Sequence, residues 1–285
     1  MSNNQNPLQG YFRSPKLYTK IPSQGLFYID DDVVDMPENG ELAIFPMTAK
    51  DEMIMKNPDA LLNGESVAQV IQSCVPAVNK PRSLISNDVD ALLIAIQGAT
   101  YGDEVNISGT CPECEEPIES VASIEMALDT MSIVEESYIH KTAEGLELEI
   151  RPFTYESSVK AGIANFQTSR SLQSIQEIED EVEQLRQFNT NFMQVAALNF
   201  ELIVDSVASV RGKDAEGEEF LVTDRNNIRE FLENSESSIG KAVEAKIADV
   251  NKVGVNKEVQ LECEKCEVQF TKEIGFDPVN FFTAS

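Results

Sequence analysis

The sequence predicts an α+β fold of small β-hairpins and helices. Short stretches in which apolar and polar residues alternate, for example at 41–45 and 146–150, are typical of half-buried strands. From 155 to 254, apolar residues recur instead at steps of three and four, which is the spacing of amphipathic helices. The chain has 285 residues, of which 42% are hydrophobic, and this is enough for a sizeable core in one or two domains.

The N-terminal part of the chain predicts an arm, a hairpin and a group of helices. Residues 1–25 are polar and contain proline and glycine breakers, so we expect an extended arm that ends in a turn. Residues 26–29 predict a strand, and Asn39-Gly40 predicts a tight turn before the strand at 41–45. Thr48 is suited to cap the first of several short helices that reach to about residue 99.

Four of the five cysteines form two Cys-x-x-Cys motifs, Cys111/Cys114 and Cys263/Cys266. Strand-like alternation flanks the motifs, so each is expected at the tip of a hairpin. A turn with this spacing directs two thiolates at a point about 2.3 Å from each sulfur, which is half of a tetrahedral zinc site. Together the motifs predict a closed site for a structural Zn²⁺, because all four protein ligands are thiols.

The alternatives to a metal site are two redox pairs, two short-loop disulfides or four unrelated thiols. Negative charge near a thiol disfavours a free thiolate, whereas a bound dication tolerates it. The motifs are crowded by glutamates, namely Glu113, Glu115, Glu116, Glu262, Glu264 and Glu267. We therefore favour a metal over redox chemistry.

A shared ion would place the two cysteine motifs, which are far apart in the sequence, next to each other in space. The predicted organisation is an extended N-terminal arm at 1–25, a core at 26–154 and 255–285 that carries a split four-cysteine zinc ribbon, and a helical insertion domain at 155–254. Within the insertion, 174–188 is the longest charged amphipathic stretch, and a second helix is expected to continue towards Val210.

The composition narrows the range of partners. With 22 basic against 49 acidic residues the net charge is −27, so the chain lacks the basic surface that nucleic acid requires. No apolar run approaches the roughly 18 residues of a membrane span, and the first residues do not resemble a secretory signal, so we expect synthesis in the cytosol. The fifth cysteine, Cys74, lies in an apolar pattern and is expected to be a buried small hydrophobe.

No pattern in the sequence indicates catalysis. His140 is the sole histidine, and we expect it at the end of a strand in an ordinary surface role. Nucleophile elbows, phosphate loops and dinucleotide fingerprints are absent from the sequence. The prediction is therefore a protein that is not an enzyme.

Three segments resemble a known family when they are taken in order. They are residues 21–28 (IPSQGLFY), 45–52 (FPMTAKDE) and 57–64 (NPDALLNG). This order resembles the T4-type bacteriophage baseplate family, whose members are described as baseplate hub or hub-assembly (baseplate chaperone) proteins of contractile-tailed phages. The resemblance covers about 12–125, including the first cysteine motif.

The resemblance implies a non-enzymatic structural or assembly protein of the baseplate hub that acts through protein–protein contacts. Its partners would be other baseplate or tail-tip proteins, with a homo-oligomer possible within the baseplate. The protein would be assembled in the host cytoplasm and would be located in the virion tail baseplate. Independently of the resemblance, the arm carries Tyr11, Phe12 and Tyr18 in a polar segment rich in breakers, so we expect these aromatic residues either to bind a partner or to pack on the protein itself. The alternative is a zinc-ribbon regulatory protein that binds nucleic acid or polymerase.

Overall fold

The computed structural model describes residues 7–28, 32–176, 178, 180–214 and 216–273. It is a mixture of helices and small sheets, as predicted. The described helices are α1 (Ala49–Met55), α2 (Pro58–Leu62), α3 (Glu65–Cys74), α4 (Ser86–Tyr101), α5 (Ile124–Asp129), α6 (Tyr155–Gln176), α7 (Glu181–Ser206), α8 (Arg225–Asn234) and α9 (Ser237–Asn251). The described strands are β1 (Leu17–Thr19), β2 (Leu42–Ile44), β3 (Glu104–Thr110), β4 (Pro117–Ser123), β5 (Tyr138–Lys141), β6 (Glu147–Ile150), β7 (Val207–Lys213), β8 (Glu219–Val222), β9 (Glu258–Glu262) and β10 (Gln269–Glu273).

The strands form three two-stranded sheets and one four-stranded sheet, all antiparallel. The pairs are β1–β2, β3–β4 and β9–β10, and the larger sheet has the order β5-β6-β7-β8. The helical group begins where it was predicted to begin. Thr48 caps α1 by accepting the N–H of Asp51, whose carboxylate accepts the Thr48 N–H in return at 2.7 Å.

The predicted helix towards Val210 is wrong in its last part, because α7 ends at Ser206 and the chain continues as β7. Alternation and β-branched residues in β7 allow it to pair with β6, with Val210 opposite Leu148. Gly212 permits close packing there, because a Cβ atom on it would lie 2.5 Å from the Leu146 side chain. Two strands therefore lie within the stretch that was predicted to be helical.

The strand predicted at 26–29 is also wrong in its described part. Leu26 and Phe27 lie in a turn, whereas Ile29 is outside the described residues. The first strand is instead β1, inside the predicted arm, which pairs with β2. Hydrogen bonds from Ser23 and Tyr28 to the buried Asp88 favour the turn over a strand.

Arg13 fixes the arm to the helical group. Its guanidinium donates to the Ser73 carbonyl oxygen and to the Pro46 carbonyl oxygen, each at 2.6 Å, and lies 3.3 Å from the Asp51 carboxylate. Asp51 is itself buried, so the guanidinium supplies a counter-charge where water cannot. The arm is therefore packed on the protein from Arg13 onwards, although Tyr11, Phe12 and Tyr18 remain exposed.

One hydrophobic cluster runs through most of the described chain. It contains Ile44, Leu92 and Ile150 together with Val204 and Ile247, so the second half of the predicted insertion shares a core with the first part of the chain. The domain boundaries at 25, 154 and 254 stay a prediction. Residues 1–6 of the predicted arm and 274–285 of the predicted core lie outside the described residues.

Candidate metal centre

Two hairpin tips carry the predicted ligands. Cys111 and Cys114 lie in the turn between β3 and β4, and Cys263 and Cys266 lie in the turn between β9 and β10. Strand registers close each hairpin directly beside its turn, with Thr110 opposite Pro117 and Glu262 opposite Gln269. The sequence thus placed these four residues at the tips of hairpins, and the structure has them there.

The two turns have the same backbone conformation. The Cys111 N–H donates to the Glu116 carbonyl oxygen at 2.9 Å, and the Cys263 N–H donates to the Val268 carbonyl oxygen at 3.0 Å. The residue after each second cysteine, Glu115 or Glu267, is in the left-handed region with φ of 58°. Such a residue reverses the chain so that both thiols of one turn face the same point.

The four sulfur atoms converge between the hairpins. The Cys111 and Cys266 sulfurs are 3.5 Å apart, as are the Cys114 and Cys263 sulfurs, and all four lie within 4.8 Å of one another. Sulfurs that each lie 2.3 Å from a tetrahedral ion are separated by about 3.8 Å, whereas bonded sulfurs are about 2.05 Å apart. The spacing therefore fits a shared ion and is too wide for disulfides.

Backbone N–H groups and the neighbouring thiols shift the pKa values of cysteines in the cluster. N–H groups of Cys266 and Lys265 donate to the Cys263 sulfur and lower the pKa of that thiol to about 7. The Val268 N–H has the same effect on Cys266, but desolvation and the three other thiols outweigh it and raise the pKa of Cys266 to about 12. Four thiolates this close repel one another, and a dication would relieve that repulsion.

Two lysines of the second hairpin bind the first hairpin. The Lys265 ammonium is 2.6 Å from the Glu116 carboxylate. The Lys272 ammonium donates a hydrogen bond to the Ser108 carbonyl oxygen. Its side chain packs over Gly109, where a Cβ atom would lie 3.1 Å from the Lys272 ammonium nitrogen. Sequence reasoning missed both contacts. The position of Lys265 inside the second motif was the one available signal, and no sequence signal marks Lys272.

The hairpins bury little apolar surface of their own. Ile107 and Leu261 are buried, but neither belongs to the main hydrophobic cluster. An isolated two-stranded hairpin is marginally stable in water. The chemistry of four thiols and the small local core together fit a site whose ion supplies much of the local stability.

The remaining residues that the sequence singled out lie elsewhere. Cys74 is fully buried, as predicted, and burial raises the pKa of its thiol to about 11. His140 is in β5, opposite Leu148, and does not belong to the cysteine cluster. Among the residues that the structure describes, the candidate metal centre therefore consists of the four thiols.

Fold and site together define a mixed α+β chain in which two hairpins, distant in sequence, meet at a cluster of four thiols. A sequence model of the family described as T4 bacteriophage base plate protein matches residues 30–283, and this range includes both cysteine motifs. The chain therefore belongs to the T4 bacteriophage base plate protein family. Comparison with curated proteins and with solved structures gave no match.

Family membership indicates a structural phage protein that contacts other tail proteins in the virion tail baseplate. The match also extends the resemblance well beyond 12–125, through α6–α9 to the second hairpin. None of the helices in the described part of the chain combines the length and the apolar character of a membrane span.

Proposed function

We propose that this chain is a non-enzymatic structural or assembly protein of the baseplate hub, and that it acts through contacts with other tail-tip proteins. The observation that carries the proposal is the family match over residues 30–283. The assignment to the hub rests on three segments that follow one another along the chain and, in that order, resemble hub and hub-assembly proteins. They are residues 21–28, 45–52 and 57–64.

We further propose that Cys111, Cys114, Cys263 and Cys266 bind a structural Zn²⁺. Support comes from the all-thiol ligand set and from sulfur separations of 3.5 Å that suit tetrahedral coordination. With four protein ligands the site is closed, so its role is to hold the hairpins together. The ion would fasten the chain between Cys114 and Cys263 at both ends.

The alternative of a zinc ribbon that binds nucleic acid is not supported by the hairpin tips. Their basic side chains are already engaged, Lys265 with Glu116 and Lys272 with the Ser108 carbonyl. Phosphate binding would require free cationic side chains and a less negative chain than one of net charge −27.

Disruption of the gene tests the proposed function. We expect loss of contractile tails, and a plasmid copy of the intact gene should restore them. Mass spectrometry of mature particles and of assembly intermediates would then distinguish a permanent component, found in both, from an assembly factor found in the intermediates. Normal, infectious tails after disruption would refute the proposal.

A further inference from the structure

Helices α6 and α7 form a hairpin that buries almost nothing of its own. Among the described side chains between 160 and 200, Ile175 is the one that is buried. The two helices contact each other, and the Gln184 side chain donates a hydrogen bond to the Ile175 carbonyl oxygen at 3.1 Å. Helices owe most of their stability in proteins to packing of an apolar face. Within the described chain, this helical hairpin therefore lacks a packing partner for its apolar side chains.

The hairpin exposes large apolar side chains on its surface. We name this set the hairpin face, and its members are Phe166, Val182, Leu185, Phe188, Phe192 and Met193. On α7, Val182, Leu185, Phe188 and Phe192 follow one another at steps of three and four, so they lie along one side of the helix. Six such residues in one hairpin exceed the scattered exposure of an ordinary surface.

Four of the six members of the hairpin face lie in the neutral part of a very acidic chain, whereas Val182 and Leu185 lie beside the Glu183–Arg186 ion pair. From Gln187 to Phe200 no residue is ionisable, and from Ala161 to Gln176 Arg170 is the one charged residue. Arg170 stacks over Phe166, with its guanidinium carbon 5.8 Å from the ring centre. A basic partner would be attracted to the acidic remainder of the chain, whereas a neutral face suits an equally neutral surface.

Hydroxyl groups along the hairpin are satisfied without solvent. Thr168, Ser169 and Thr190 each donate to the carbonyl oxygen four residues earlier, at 2.8, 3.0 and 2.9 Å. These three hydroxyl donors therefore do not depend on hydrogen bonds to water.

We propose that the hairpin face binds the same face of a second copy of this chain, so that two hairpins form an antiparallel four-helix bundle. Two chains of net charge −27 repel each other, and the uncharged part of the hairpin face, around Phe188 to Met193, is where that repulsion is smallest. Antiparallel α7 helices keep the acids at the start of one copy, Glu181 and Glu183, away from those of the other. The pairing is self-complementary, as twofold symmetry requires.

The size of the face suits a dimer. The stretch of α7 up to residue 200 has a length of about 30 Å at 1.5 Å per residue, and two helices side by side are about 20 Å wide. Each copy would therefore contribute about 600 Å², close to the roughly 800 Å² per partner of a standard stable interface.

Sedimentation equilibrium of the zinc-loaded full chain tests the proposal with a matched pair of variants. Met193 on the hairpin face and Met126 on α5 are equally exposed, at 66% and 67%. We expect the wild type and Met126→Glu to dimerise alike. Met193→Glu should raise the dissociation constant by roughly a hundredfold, because two carboxylates would have to lose water in the interface.

A wild-type chain that stays monomeric throughout the micromolar range would overturn the proposal, and so would a Met193→Glu variant that dimerises as well as the wild type. Circular dichroism checks that both variants keep the helix content of the wild type. The outcome is independent of the gene disruption, because dimerisation of the purified chain does not depend on its place in the tail.

Discussion

Asp88 is a buried carboxylate that holds the turn at residues 21–28 against the start of α4. It accepts hydrogen bonds from the Ser23 N–H at 2.8 Å, the Ser23 hydroxyl at 2.5 Å and the Tyr28 hydroxyl at 2.6 Å. Tyr28 in turn accepts the Ile85 N–H at 2.8 Å. Residues 21–28 belong to the three segments that resemble the family, and the network gives two of them, Ser23 and Tyr28, a physical role.

Asp88 should make folding stability depend on pH. Burial raises the pKa of Asp88 to about 6, despite the opposing hydrogen bonds from Ser23 and Tyr28, whereas the unfolded chain has a pKa of about 3.9. The folded state binds the proton more tightly, so the contribution to stability is complete below the unfolded pKa and is lost as pH rises through about 6.

We expect the free energy of unfolding of the wild type, minus that of Asp88→Asn, to fall by up to about 3 kcal/mol between pH 4 and pH 7. Urea denaturation at several pH values measures this difference, from which any loss of metal from the cysteine cluster at low pH cancels. The exposed Asp129 serves as control, since Asp129→Asn should not reproduce the slope. A difference that does not change with pH would contradict the role given to Asp88.

The two cysteine turns are equivalent elements, and both place a glutamate where glycine is favoured. Glu267 has φ of 58° and is exposed, so its side chain contributes little that offsets the left-handed backbone. In the presence of Zn²⁺ we expect Glu267→Gly to stabilise the protein by about 0.5–1 kcal/mol. The measurement is the thermal midpoint at a fixed zinc concentration.

Glu264→Gly is the matched control for that substitution. Glu264 lies in the same turn and is exposed, but it is not among the residues with positive φ. Glycine there gains no relief from strain and adds entropy to the unfolded chain, so it should destabilise. If both glycine variants lowered the thermal midpoint equally, the strain ascribed to Glu267 would be wrong.

Individual elements could be predicted where local pattern and tertiary contacts agree. The hairpins around the cysteines and the start of α1 at Thr48 are of this kind. Strands β1 and β7 could not be predicted, because each depends on a distant partner: Tyr18 lies opposite Ala43, and Val210 lies opposite Leu148. Helical spacing continues past Ser206, but sheet pairing determines the conformation there.

At the scale of the whole molecule, one hydrophobic cluster and one cluster of four thiols in the described part of the chain each bring together residues that are distant in sequence. The sequence predicted the metal centre because two identical motifs have the same ligand spacing. It did not predict that Val204 and Ile247 share a core with Leu92, since a cluster is a property of topology and not of local spacing. The lysine contacts between the hairpins were missed for the same reason.

The zinc content of the purified chain tests the central claim most directly, with Cys74→Ala and Cys263→Ala as a matched pair. Both cysteines are buried, at 0% and 1% exposure, but Cys263 is the one in the cluster. Elemental analysis after purification without chelator should find one zinc per chain in the wild type and in Cys74→Ala, and a large loss in Cys263→Ala. A wild-type chain without metal, or equal zinc in both variants, would contradict the account.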